Sequence, residues 1–151
     1  MNRRAAIRMS DEEARAFLEE QRTVICATVG RDGWPHLMPL WYVVRNGSLW
    51  AWTYAKAQKT RNLERDPRAT LQVEAGETYD QLRGVMLECD VAVHRDVGDV
   101  TRFGLDLFAR YGGVDGGVRK MIDAQAPKRV ALQFVERRRA TWDHRKLGGV
   151  Y

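Results

Sequence analysis

The sequence has little of what usually announces an activity. It contains only two cysteines, too few to staple a small secreted scaffold. Cys26 and Cys89 each lie in an apolar stretch with no C-x-x-C spacing, so both are expected to be buried thiols. The three histidines, His36, His94 and His144, are scattered without metal-ligand spacing, and no zinc or iron site is expected. No apolar run approaches the roughly 18 residues that span a bilayer. The basic start Met1–Arg4 is followed by acidic Asp11–Glu13 where a signal peptide has its apolar core, so a soluble, cytoplasmic protein with no membrane partner is expected. The glycine-rich piece Tyr111–Gly117 follows a helical pattern instead of a strand. It therefore fails as a dinucleotide fingerprint and reads as a linker. No Ser-His-Asp or Cys-His arrangement stands out, nor a carboxylate pair. No catalytic side chain is expected, and in an enzyme the chemistry would come from a cofactor.

What is present is one domain's worth of chain, residues 1–151, with 44% hydrophobic and 30% charged residues and a net charge of +5. The charge is uneven: Lys56–Arg68 carries +3 and Lys128–Lys146 carries +5, while the remainder is −3. Such patches attract polyanions. No helix-turn-helix, zinc-finger or RNA-binding signature accompanies them, so nucleic acid is not the expected partner.

Ser10-Asp11-Glu12-Glu13 is a capping box that opens a helix to about Gln21. Strands are expected at Val24–Val29, His36–Val44 and Ser48–Tyr54, joined by Arg31-Asp32-Gly33 and Asn46-Gly47 turns into a three-stranded meander. A short helix over Lys59–Asp66 ends at Pro67. Ala69–Glu74 and the strictly alternating Val85–Val93 give two more strands. Helices follow at about Val100–Tyr111 and Gly117–Ala126, then strands at Val130–Phe134 and Ala140–Trp142. Six or seven strands with peripheral helices predict a mostly β fold, a small antiparallel barrel.

Two segments carry candidate chemistry. Pro39 interrupts Leu37–Trp41 and cannot donate a ladder hydrogen bond, so its strand is an edge or is bulged. Backbone freed there, flanked by Met38 and Trp41, suits a flat heteroaromatic ring; an edge protected against aggregation is the plainer alternative. The second segment is Thr53 to Asn62, where a strand runs into a basic helix start. Its hydroxyl, ammonium, amide and backbone N–H donors are phosphate-binding chemistry. Most of the five tryptophans are expected in the core; Trp50 and Trp52 share a strand face, and at least one face of that strand is expected to carry large rings at a ligand pocket or subunit interface.

Arg31–His36, Met38–Tyr42, Leu49–Thr53, Lys59–Ala69 and Leu82–Leu87 follow the order and spacing of the pyridoxamine-phosphate-oxidase-like split β-barrel flavoproteins. Within that superfamily the chain most resembles the branch that uses the deazaflavin coenzyme F₄₂₀, and Trp142–Leu147 is similar to that branch too. The resemblance implies a homodimer with two cofactor sites at the interface, in which Lys59, Thr53 and Asn62 bind the cofactor phosphate. Met38, Pro39, Leu40 and Trp41 would line the deazaflavin ring. The basic surface of Lys56, Arg61, Arg65 and Arg68 suits the anionic tail of F₄₂₀. Oxidases of the superfamily often carry an arginine where this chain has Gln58, a departure that weighs against FMN. The resemblance thus implies an F₄₂₀-dependent reductase of a small conjugated or heteroaromatic substrate. An FMN-dependent relative and a non-catalytic flavin, deazaflavin or haem binder are the alternatives.

Overall fold

The protein, described here from a computed structural model, is seen over residues 2–149. Helix α1 (Arg3–Ala6) precedes α2 (Asp11–Glu20), which starts at the expected capping box: Ser10 Oγ accepts from the Glu13 N–H at 3.1 Å and the Glu13 carboxylate accepts from the Ser10 N–H at 2.7 Å. Strands β1 (Val24–Val29), β2 (Pro35–Leu40), β3 (Val43–Arg45) and β4 (Ser48–Tyr54) lead to α3 (Gln58–Arg65). Then come β5 (Arg68–Ala75), β6 (Arg83–His94), α4 (Val97–Tyr111), α5 (Gly116–Gln125) and the long β7 (Arg129–Asp143).

All seven strands form one antiparallel sheet in the order β2-β1-β5-β6-β7-β4-β3. Its two edge strands, β2 and β3, are consecutive in the chain and separated only by Trp41 and Tyr42. In a flat sheet those edges would stand about 29 Å apart at ~4.8 Å per strand, whereas the connection reaches ~11 Å. The sheet must therefore curl until its edges nearly meet, giving a half-barrel split between β2 and β3. This corrects the continuous strand His36–Val44 and the three-stranded meander: β2 pairs with β1 and β3 with β4, but β2 and β3 do not pair. Pro39 lies on the edge strand, where its missing N–H costs least. The two strands expected at the C-terminal end are one, β7, bent by a bulge opposite Glu88 and Cys89.

The turn chemistry follows the sequence. Asn46 and Gly47 both have positive φ, 50° and 79°, as a type I′ turn requires. Gly84 is constrained differently: it sits opposite Trp142, and a Cβ there would come within 2.3 Å of the indole ring.

Side chains alternate between two cores. Leu49 and Ala51 of β4 face the barrel interior with Val24, Leu71, Leu87, Leu132 and Phe134. Trp50 and Trp52 face outward and are covered by α4 through Val100, Phe103 and Leu107, with Ile122 of α5 beside them. The Trp50 and Trp52 face is therefore sheet-to-helix packing, the core role expected for most of the tryptophans, and not a pocket or interface. The expected burial of Cys26 and Cys89 is observed. No helix among the described residues is long and apolar enough to cross a membrane.

Candidate functional site

Helix α3 lies beside β1 at one end of the barrel, and its inward face is polar. Lys59 is only 8% exposed, and Thr60 and Asn62 are fully buried. The Lys59 ammonium donates to Thr53 Oγ1 at 3.0 Å, and Asn62 donates to the buried Thr28 Oγ1 on β1 at 3.0 Å. Asn62 Oδ1 accepts from Gln58 at 2.8 Å and from Arg65 at 2.9 Å. Thr60 Oγ1 donates to the Tyr54 carbonyl at 2.9 Å, tying the helix to the end of β4. Lys59 and Thr53 are thus in direct contact, while Asn62, on the same buried face of α3, is engaged by Thr28, Gln58 and Arg65.

The electrostatics of Lys59 set it apart. Among the described residues no carboxylate pairs with it, and its one hydrogen-bond partner is a neutral hydroxyl. Burial pushes its pKa below the ordinary lysine value; the Cys26 thiol opposes that shift and the Arg129 guanidinium adds to it. An ammonium removed from water without a counter-charge is costly to keep. Helix α3 also lacks a side-chain cap at Ala57, whereas Ser10, Asp96 and Asp115 cap α2, α4 and α5. The start of α3 thus combines first-turn N–H groups that no side chain caps with a buried cation, and both are groups that an anion satisfies.

The ring-lining candidates lie along the neighbouring edge. His36, Met38 and Leu40 are paired with the inward-facing Thr28, Cys26 and Val24, so they share the inner face, while Pro39 points to the outer one. Met38 remains 43% exposed because the barrel is open along this seam. A groove of about 600 Å³, lined by Trp34, His36, Gln58 and Asn62 among others, runs between the β1–β2 turn and α3. The His36 Nδ1 atom in this region is buried without a hydrogen-bond partner among the described residues.

Trp41, 47% exposed, stacks on Tyr111 with ring centroids 4.4 Å apart. Its position is fixed by a clamp invisible in the sequence. Arg110 donates to the carbonyls of Leu18, Glu19 and Gln21 at 3.2, 2.9 and 2.6 Å, to the Tyr42 carbonyl, and to the Tyr111 hydroxyl at 2.7 Å. The same hydroxyl accepts from the Tyr42 N–H at 3.1 Å. The clamp thus holds the crossover between the two sheet edges.

Of the basic residues expected to attract a tail, Arg68 is paired with Asp66 at 2.7 Å and Arg65 is held by Asn62 and the Val29 carbonyl. Lys56 and Arg61 are exposed and remain available. No thiol nucleophile is present at neutral pH: burial pushes both cysteines up to about 12. Among the described residues no cluster of three or more His, Cys, Asp or Glu side chains forms a metal site.

The geometry agrees with what comparison with known proteins finds. The pyridoxamine 5'-phosphate oxidase family matches residues 10–145. The conserved hypothetical protein Rv2991 from Mycobacterium tuberculosis superposes with a TM-score of 0.90 at 42% identity, over 98% of this chain and 93% of that one. An F₄₂₀ reductase superposes with a TM-score of 0.71 at 23% identity, over 87% and 98% of the two chains. HutZ, the haem storage protein from Vibrio cholerae, gives 0.64 at 16% identity, over 88% and 93%. A search of curated proteins finds no match. With a family match spanning most of its length and the split, curled sheet that goes with it, the chain belongs to the pyridoxamine 5'-phosphate oxidase family.

Proposed function

We propose that this protein is a reductase that binds coenzyme F₄₂₀ and directs hydride from it to a small conjugated or heteroaromatic substrate. The observation that carries the reading is the buried Lys59 ammonium, held by Thr53 at an uncapped helix start with no carboxylate among the described residues to balance it. A phosphate there gains charge-assisted hydrogen bonds and removes the cost of the isolated charge. The available Lys56 and Arg61 suit an anionic tail better than they suit FMN, which has none.

When bound, the reduced deazaflavin supplies the hydride. The chain's own residues bind and orient. Lys59, Thr53 and the α3 N–H groups would fix the phosphate. The inner edge of β2, with Met38 and Leu40, and the clamped Trp41 would present the ring to the substrate, which is where positioning energy is gained. A solvent proton completes the reduction, so no histidine is required.

The test is titration with F₄₂₀ and FMN, followed by oxidation of the reduced deazaflavin against quinones, tetrapyrroles, unsaturated lactones and nitro-compounds. F₄₂₀ is expected to bind and turn over with at least one acceptor, and His36→Ala and His144→Ala to lower turnover less than about tenfold. Purification as a yellow FMN protein, or binding without turnover of any acceptor, overturns the reading. A 10³-fold loss at either histidine with F₄₂₀ affinity unchanged would show a dedicated acid.

The reading includes a homodimer. The unpaired β2 edge and its turn expose Trp34 at 76% and Leu37 at 56%, apolar surface that a second copy related by a two-fold axis would cover. Light scattering at micromolar concentration is expected to give twice the chain mass; a monomer that still binds F₄₂₀ would contradict shared sites.

A further inference from the structure

We infer that the cleft between the N-terminal arm and the far end of β7 is a binding site for a small aromatic carboxylate. It stands apart from the Lys59 site: Val130, near the start of β7, is the residue that pairs with Thr53, whereas the cleft lies beside residues 140–142 at the other end of the strand.

The cleft is made by long-range packing. β4 accompanies β7 only as far as Phe134, and β7 runs on to Asp143 without it. The segment after α1 is laid along that extension. The Asp143 N–H donates to the Ile7 carbonyl at 2.7 Å, the Met9 N–H to Thr141 Oγ1 at 3.0 Å, and Lys146 Nζ to the Arg8 carbonyl at 2.8 Å. Met9 is buried with the barrel core. These ties fix the arm against the sheet, and a space of about 750 Å³ beside them is lined by Arg4, Arg8, Thr141 and Trp142 among others. That is the size of a small-molecule site.

Two features of the lining point to the occupant. Trp142 lies across Gly84, whose missing side chain admits the ring, so the indole is settled on β6 while it borders the cleft. A fixed indole is a surface for stacking a flat ring. Arg4 and Arg8 are four residues apart on backbone that stays helical, the Arg8 N–H donating to the Ala5 carbonyl at 3.4 Å. At that spacing like charges repel. Neither arginine has a carboxylate partner among the described residues. The acids at this end of the molecule are already taken, Glu13 by Lys146, Asp143 by Arg145, and Glu136 and Asp11 by Arg139. A carboxylate relieves the repulsion, because a guanidinium fork takes its two oxygens side by side. An aromatic body attached to it has the indole to lie against.

Water also satisfies exposed arginines, so the test separates charge from ring. Calorimetric titration of the cofactor-free chain with naphthoate is expected to show binding, and naphthamide, the same rings without the charge, to bind about tenfold more weakly or worse. Arg4→Gln combined with Arg8→Gln is expected to abolish that difference by weakening the acid alone, whereas Trp142→Leu is expected to weaken both compounds. Where Trp142→Leu does not fold, the arginine pair, which lies outside the sheet, decides the question. Lys59→Met is expected to bind naphthoate as the parent does, whether or not F₄₂₀ binds to either. No heat with naphthoate, equal affinity for acid and amide, or an arginine-pair variant that binds naphthoate as tightly as the parent overturns the site. Loss of naphthoate binding in Lys59→Met overturns it too, since the acid would then be seated at the phosphate site.

Discussion

Replacing Lys59 by methionine is expected to move stability and ligand binding in opposite directions. Methionine fills nearly the same volume and removes a buried charge that no carboxylate among the described residues balances. The ligand-free protein should gain on the order of 1 kcal/mol, the relieved desolvation outweighing the hydrogen bond that Thr53 loses. Binding of a phosphorylated flavin should instead fall about tenfold to 100-fold, the equivalent of ~1.5–3 kcal/mol for a charge-assisted bond. The pH dependence has a defined sign. Burial holds the folded pKa of Lys59 below its ordinary 10.5, so between those two values the unfolded chain binds more protons than the folded one. Stability of the ligand-free parent should therefore gain a contribution as pH rises through that window, and Lys59→Met should lack it. Calorimetric unfolding and ligand titration across alkaline pH measure both effects. A methionine variant that is less stable and binds as tightly as the parent would make Lys59 a structural residue.

The second large effect is expected at Arg110. Its guanidinium joins the C-terminal carbonyls of α2, the Tyr42 carbonyl in the crossover and the Tyr111 hydroxyl in α4, and it also stacks on the Tyr42 ring at 4.6 Å. Removing it takes the donor from the Glu19 carbonyl at the end of α2, and leaves the Leu18 and Gln21 carbonyls to share the Tyr42 hydroxyl, and the Tyr42 carbonyl with the Tyr111 hydroxyl alone. Arg110→Ala should cost about 3 kcal/mol and lower the unfolding midpoint by roughly 6–12 °C. Because Trp41 is stacked on Tyr111 and joined to Tyr42, the loss should reach the seam: the Trp41 indole should become more accessible to a soluble fluorescence quencher. A midpoint within 1 °C of the parent, a bound set for about 0.3 kcal/mol or less, would show that the clamp is not what fixes the crossover.

Each part of the molecule was legible in the sequence to the extent that its cause is local. Ser10 and Glu13 cap α2 because both partners lie within one turn of chain. Asn46 and Gly47 make the β3–β4 turn because those residue types accept positive φ. The alternation of Val85, Leu87, Cys89 and Val91 marked β6 because one face of the strand is buried. Lys59, Thr53 and Asn62 could be grouped because a strand end and the helix that follows it stay close whatever the rest of the fold does.

Tertiary structure decided what depends on distant pairing. Nothing in the apolar run His36–Val44 says that it divides at Trp41, because the division comes from the closure of a seven-stranded sheet whose two edges share one crossover. Trp50 and Trp52 face outward by simple alternation, but only the return of α4 over β4 makes that face a core. The sequence by itself determined the turns, caps, strand faces and the donor set at α3. That no acid opposes the Lys59 ammonium among the described residues was fixed by long-range packing, because the absence of a carboxylate is a property of the surroundings and not of the residue.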